Sequence, residues 1–408
     1  MSEAAATSEP SVSRGPSGAL VALFAVATGA LVANLYYAQP MVAAIGADLG
    51  LDPDLAGSLT GITQIGYGVG LFLLVSAADL VENRRLVLAT LVLTTLGLAG
   101  IAMSTEALPL FAFCFMVGLC ATGAQVLVPF IARLAPDARR GQVVGTVMAG
   151  LLTGIMLARP AALFIAGSFG WRAVFWASAA LMLVVGAALW RMMPAWQPGR
   201  SRSGSGLVAY LRILGSMPGL LRRLPAVRRR AAYQALMFAA FNLFWTTAPI
   251  MLAERFGLSI HQIGLFALAG AGGALVAPVA GRLADRGYSR VQTGVAMVLV
   301  VVSFLASGGA VSAGSIIAMA VLAVVLDAAI QANQITGQRI IFSTAPEIRG
   351  RVNAIYMTIM FFAGASGAAL GTVIYHAGGW VGVVVAGAGL GLAMLLIYAT
   401  EFRRGRAG

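Results

Sequence analysis

Asn34-Leu35-Tyr36-Tyr37 returns 208 positions later as Asn242-Leu243-Phe244-Trp245, and this echo decides how the 408-residue chain is organised. Working outward from it, Ala78-Asp79 returns as Ala284-Asp285 at an offset of 206. Gln125 returns as Gln334, Arg140-Gly141 as Arg349-Gly350 and Gly170-Trp171 as Gly379-Trp380, all three at 209. Five matches in one order at nearly one offset mark an internal duplication. Both copies of the first motif lie inside apolar runs, so the duplicated unit is a set of membrane spans.

Composition agrees. Hydrophobic residues make up 60% of the chain and charged residues 10%, against roughly 45–50% and about 25% in soluble domains. With a mean hydropathy of +0.90, too few polar residues remain to cover a water-soluble surface. Counting apolar runs of about 20 residues gives twelve spans, near 19–44, 56–78, 86–105, 108–132, 143–166, 173–192, 232–253, 262–283, 291–310, 313–338, 351–375 and 380–400. The 50 glycines are scattered through them, as expected where helices in lipid approach through small residues. Pro40, Pro129, Pro160, Pro249 and Pro278 lie within or at the ends of spans and mark candidate kinks. The chain therefore reads as an all-α membrane protein with a tail at 1–17, a six-helix bundle at 18–192, a basic linker at 193–231, a second bundle at 232–400 and a tail at 401–408. The Ser-, Ala- and Pro-rich first tail reads as disordered.

The net charge of +13 does not signal nucleic acid. Every basic residue is Arg, and aromatic residues do not interleave with them. Arg14, Arg84, Arg85, Arg133, Arg139, Arg140, nine from Arg191 to Arg230, Arg282, Arg286, Arg290, Arg339, Arg349, Arg351 and three in the last tail share one side of the twelve-span layout. The opposite loops hold only Arg172 and Arg255, beside five acids. The excess of Arg on one side puts both termini in the cytoplasm of a multi-pass cell-membrane protein.

Gly281-Arg282-Leu283-Ala284-Asp285-Arg286-Gly287 after span 8 resembles the loop signature of the major facilitator superfamily. Ser76 to Arg85 after span 2 is a degenerate copy lacking the leading Gly, and Phe169-Gly170-Trp171-Arg172 looks like the superfamily's drug and metabolite efflux branch. The resemblance covers residues 18–400. It implies two pseudo-symmetric six-helix bundles, alternating access and a central substrate cavity at the repeat interface. It further implies that Asp79, Arg84, Arg85, Gly281, Asp285 and Arg286 gate the cytoplasmic side through pairs with the same loop and with neighbouring helix ends.

Asp327 is the one carboxylate well inside a span, where its insertion costs about 2.5–3.5 kcal/mol. Gln331, Gln334 and Gln338 follow at +4, +7 and +11, all within about 40° of Asp327 on one helix face about 16 Å long. Since span 10 of the superfamily lines the cavity, Asp327 reads as the proton-titrating group and the glutamines as substrate or water ligands. A hydrogen-bond network locking span 10 to span 4 is the other reading. Arg159 is the only intramembrane cation, placed where antiporters of the superfamily often carry Gly-Pro; anion binding or coupling to Asp327 competes with simple snorkelling. Asn34, Tyr37, Gln39, Gln64, Tyr67, Gln125, Asn242 and Trp245 are further cavity candidates, or groups that bond backbone freed near Pro40 and Pro249.

The expected function is proton-coupled efflux of a small organic molecule. An importer or uniporter of an organic solute or anion, and a non-transporting receptor or scaffold, are the alternatives. No phosphate-binding loop, zinc pattern or protease constellation appears, so no cofactor or enzymatic activity is expected. Cys114 and Cys120 read as packing residues, and His261 and His376 as surface groups. The expected partners are a small-molecule substrate, protons and the lipid bilayer, with the protein working as a monomer.

Overall fold

The computed structural model describes residues 15–78, 80–196, 206–344 and 348–404, and these form helices and short connections without a strand. In chain order the helices are α1 (Gly18–Ala33), α2 (Val42–Asp48), α3 (Pro53–Ala56), α4 (Ser58–Ala77), α5 (Asn83–Met103), α6 (Ala107–Ala121), α7 (Gly123–Leu134), α8 (Arg140–Phe169) and α9 (Trp171–Met192), then α10 (Gly206–Arg223), α11 (Pro225–Phe256), α12 (Ile260–Ala271), α13 (Ala277–Asp285), α14 (Ser289–Ser312), α15 (Ile316–Thr344) and α16 (Arg349–Arg404). Among the described residues nine helices are long and apolar enough to cross a membrane. One of them, Arg349–Glu401, has 53 residues and crosses twice, and the shorter apolar helices Gly18–Ala33 and Ile260–Gly270 supply the remaining two crossings.

The twelve spans thus differ from twelve plain helices at four places. Span 4 is interrupted between α6 and α7 at Thr122, whose Oγ1 donates to the Leu119 carbonyl (2.7 Å), and the other three each have a local cause. Span 1 stops at Ala33 because Asn34 turns its amide back onto the Ala30 carbonyl (3.0 Å), after which a 3₁₀ turn, Gln39–Met41, carries Pro40. Span 8 breaks at the glycine pair 272–273 into a 3₁₀ segment, Gly272–Val276, before Pro278 starts α13. Spans 11 and 12 are joined without a loop, and the reversal is made at Gly379, with φ 58°. Gly170, its counterpart between spans 5 and 6, has φ 82°. Only glycine takes such angles without strain, which explains why Gly-Trp is repeated.

The repeated Arg-Gly also has a structural cause. Arg140 Nε donates to the Ala132 carbonyl (3.0 Å) and Arg349 Nε to the Phe342 carbonyl (3.0 Å). In each half an arginine returns to the C-terminal end of the preceding helix, where orphan carbonyls and the helix dipole favour a cation.

The linker expected at 193–231 is largely helical. Its middle forms α10, and α11 begins at Pro225. The apolar side of α10 packs Met217 and Ile213 on Phe72, Ala354 and Ile355. Tyr210 Oη donates to the Leu73 carbonyl (3.1 Å), and Arg351 Nη1 to Ser216 Oγ (3.3 Å). An amphipathic helix therefore lies across the ends of α4 and α16, one from each half, on the face that also holds the first and last described residues. That face is called the terminal face below, and its opposite the far face.

At the far face the halves meet closely. Thr372 Oγ1 donates to the Asp54 carbonyl (2.8 Å), His376 Nδ1 lies 2.8 Å from Asp54 Oδ1, and His261 Nε2 lies 3.3 Å from Ser168 Oγ. Both histidines of the chain thus lie on the surface, as the sequence suggests, but each bridges the seam. Farther in, Thr358 Oγ1 donates to the Gly68 carbonyl (3.2 Å). Cys114 and Cys120 are buried free thiols.

Candidate functional site: a central cavity

Between the halves lies a cavity of about 230 Å³, walled by α1, α4, α7, α8, α11, α12, α13, α15 and α16. The side chains that reach it include Asp327, Gln331, Gln334 and Gln338 from α15, so the face spacing of that helix becomes one wall. Gln125 and Arg159 reach it from the first half. Gln125 also borders a second cavity, of about 330 Å³, whose lining includes Ser76, Asn83, Arg133 and Arg351. The two spaces adjoin toward the terminal face.

Toward the far face the central cavity is closed by a buried polar cluster. Gln39 Nε2 donates to Asn242 Oδ1 (3.0 Å) and to Thr246 Oγ1 (3.3 Å), while Arg159 Nε donates to Gln39 Oε1 (2.9 Å). Gln64 Nε2 also donates to Asn242 Oδ1. Asn242 Nδ2 in turn bonds the Phe238 carbonyl (2.9 Å), four residues back, as Asn34 bonds that of Ala30. Repeat-equivalent asparagines thus share one backbone bond and diverge in their oxygens. That of Asn242 receives donors from the other half; that of Asn34 receives Ser178 Oγ (2.7 Å) within its own half.

Arg159 is 5% exposed and points inward rather than snorkelling. Its guanidinium carbon lies 4.9 Å from each of the ring centroids of Tyr36, Phe241 and Trp245, within cation–π reach. Trp245 Nε1 donates to Asp327 Oδ1 (2.8 Å). One indole therefore touches both intramembrane charges, and among the described ion pairs none joins Arg159 to Asp327 directly.

Of the remaining sequence candidates, Asn34 is sequestered in its own bundle, and Tyr37 lines a separate groove between α1 and α8. Gln39, Gln64 and Asn242 form the closing cluster rather than the cavity lining. Tyr67, named from sequence, borders the cavity and its Oη accepts from Gln125 Nε2 (3.0 Å). Tyr36 and Phe241 also border it and were not singled out from sequence; a helix-face projection of span 7 would have found Phe241, whereas Tyr36 lies past the end of α1, beyond any helix face. Asp79 lies outside the described residues. Asp285 pairs with Arg339 (3.1 Å), Arg85 with Glu82 (3.0 Å), and Arg84 with the Trp190 carbonyl. Arg286 is exposed, and open space surrounds Gly281. Each of these described gating contacts stays within one half, so none is itself a bolt across the seam.

At the far face, Arg172 of the Gly-Trp-Arg motif pairs with Asp48 and donates to the Ser104 carbonyl (3.2 Å), while Trp171 Nε1 donates to Asp48 (3.3 Å). The Arg172 hydrogen bond holds the Asp48 carboxyl below its ordinary range. Trp380, the repeat of Trp171, donates to Ser307 Oγ (3.1 Å). Each tryptophan thus ties its turn to a neighbouring helix.

Twelve crossings in two repeated halves, with a cavity between them whose apolar wall carries a few polar and charged side chains, define a membrane transporter. The chain belongs to the Major Facilitator Superfamily, whose model matches residues 19–229 and 230–407. It is 38% identical over 392 residues to the Uncharacterized transporter YgaY of Escherichia coli O157:H7, across 96% of this chain and 98% of that one. It is 28% identical over 267 residues to a chloramphenicol resistance protein of Streptomyces lividans, across 65% and 66%. Its fold is that of a bacterial homologue of the human lysosomal transporter Spinster in its inward-facing, occupied conformation, with a TM-score of 0.72 at 13% identity over 95% and 96% of the two chains.

Proposed function

We propose that this transporter exports a small organic molecule in exchange for protons by alternating access, with its termini and α10 in the cytoplasm. Asp327 carries the proton, and Gln331, Gln334, Gln338, Gln125 and Arg159 face the substrate. The observation that carries the reading is the placement of a carboxylate from the middle of a span on the wall of a cavity between the halves. An acid in lipid is retained where it works, and a receptor or scaffold has no use for one. The cavity is closed toward the far face and adjoins the space near the terminal face, which suits a state that loads from the cytoplasm. The Streptomyces lividans relative, named for chloramphenicol resistance, supports the outward direction. The excess of Arg on the terminal face supports the orientation. One proton moving down 150 mV supplies about 3.5 kcal/mol, enough for a gradient of a few hundred-fold.

The test uses everted membrane vesicles with an acid interior and a panel of drugs and metabolites, chloramphenicol included. A transported compound should dissipate the pH gradient in the wild type and not in Asp327→Asn at equal protein level. A substrate-dependent proton flux that survives Asp327→Asn would remove Asp327 from the mechanism, and substrate flux without proton movement would remove the coupling.

A further inference from the structure

The two charges on the cavity wall specify what the cavity takes. Arg159 is held rigidly by three aromatic rings and by Gln39, yet it spends little of its donor capacity. Of the five guanidinium N–H donors, Nε is engaged by Gln39 Oε1, and Nη2 is buried without a partner. A buried cation in that state is costly unless an anion completes it. Asp327 borders the same cavity and accepts from Trp245 Nε1. With the Trp245 indole against both groups and no ion pair between them, the positive and negative charges are kept apart instead of collapsing onto each other. The surrounding wall is apolar and soft, with Met156, Met357, Met360 and Phe361.

We propose that the transported molecule is a small zwitterion with an apolar body, its anionic group on the Arg159 guanidinium and its cationic group on Asp327. This rests on the cavity's being the substrate site of the exporter proposed above. A monoanion would complete Arg159 but face the Asp327 charge, and a monocation would complete Asp327 but leave Arg159 as it is. A molecule bearing both groups satisfies both and enters without net charge, which limits its desolvation cost. It also makes the proton and the cationic group rivals for one carboxylate, and such rivalry is what exchange requires.

Binding of three probes that share a phenyl ring to the purified full-length protein in lipid nanodiscs, read by thermal shift, tests this. The probes are L-phenylalanine, 3-phenylpropionate and 2-phenylethylamine. L-phenylalanine should bind about tenfold or more tightly than either single-charge probe, and its binding should weaken as the pH falls and Asp327 takes up a proton. Asp327→Asn should remove that pH dependence and level L-phenylalanine with 3-phenylpropionate. Arg159→Gln should level it with 2-phenylethylamine, and Arg159→Lys, which keeps the charge, should restore part of the preference. Binding of 3-phenylpropionate as tight as that of L-phenylalanine and strengthening toward acid pH would overturn the proposal in favour of a monoanion. Equal binding of 2-phenylethylamine, or stabilisation by none of the three, would overturn it as well. The vesicle assay separates the two readings: proton-linked flux abolished in Asp327→Asn alongside the wrong probe order sinks the ligand class alone. The predicted probe order with flux untouched by Asp327→Asn sinks the coupling alone.

Discussion

Gln39 ties its 3₁₀ turn to two helices through one side chain, donating to Asn242 and Thr246 of α11 and accepting from Arg159 of α8. It is fully buried, between the cavity and the far face. Gln39→Leu keeps the volume but takes from Arg159 its hydrogen bond to that side chain. An unsatisfied buried donor costs about 1–3 kcal/mol, more for a charged one. The variant should lose stability in that range and melt lower in detergent, and Gln39→Asn, which keeps the amide on a shorter stem, should recover part of the loss. Equal melting of Gln39→Leu and the wild type would show that the cluster is not under this constraint. At the far face, Arg172 depresses the Asp48 pKa, so the sign of the pH effect is fixed. The pair's contribution is fully present above the ordinary carboxylate value of about 3.9. It disappears as the pH falls through the lower folded value. Melting curves of wild type and Asp48→Asn should therefore differ at neutral pH and converge in acid; a gap that persists in acid would assign the effect to something other than this charge.

At the scale of helices, the contact of α1 with α8 depends on missing side chains. A Cβ at Gly154 would strike the Gly29 carbonyl, and one at Gly150 the Ala25 carbonyl, whereas one at Gly145, earlier on α8, meets nothing within 4 Å. Gly154→Leu should then cost about 1–3 kcal/mol or more through overpacking, seen as a lower folded yield on size-exclusion chromatography. Gly145→Leu should be tolerated, and equal yields of the two would sink the close-packing argument. Helices were the most legible level of the sequence, because length and apolar content follow directly from the solvent. Their interruptions were less so. Asn34 ends α1 through a local side-chain bond that hydropathy does not register, and α10 was hidden in a segment whose arginines dominate its composition. The Gly-Trp and Arg-Gly repeats were visible as repeats, but their causes, a positive φ and a carbonyl clasp, needed geometry.

For the whole molecule, helical periodicity put Asp327 and its three glutamines on one face of α15, and the resemblance to the superfamily is what implied that this face lines the cavity. Neither could bring Arg159 to Trp245, since that meeting depends on how two halves of the chain dock. The far-face seam was illegible for the same reason, although it uses both histidines. Its described polar links are few and partly exposed, so each is worth about 1 kcal/mol or less, or about a fivefold change in a two-state population. Removing the side-chain link on the α3 side with Asp54→Asn or His376→Ala, which leaves the Thr372 bond to the Asp54 carbonyl in place, should therefore shift access rather than unfold the protein. A cysteine at the cavity wall reports this: Gln331→Cys in a background with Cys114→Ala and Cys120→Ala, treated with a membrane-impermeant maleimide. In everted vesicles, which expose the terminal face in the proposed orientation, labelling should be fast; in right-side-out vesicles it should be slow. The seam variants should raise far-face labelling by up to about fivefold, with a much smaller fall in terminal-face labelling because that state is the majority. Unchanged labelling on both sides would mean that the seam polar groups do not hold the closed state, leaving that task to the packing of Gly57 and Gly61 against α16.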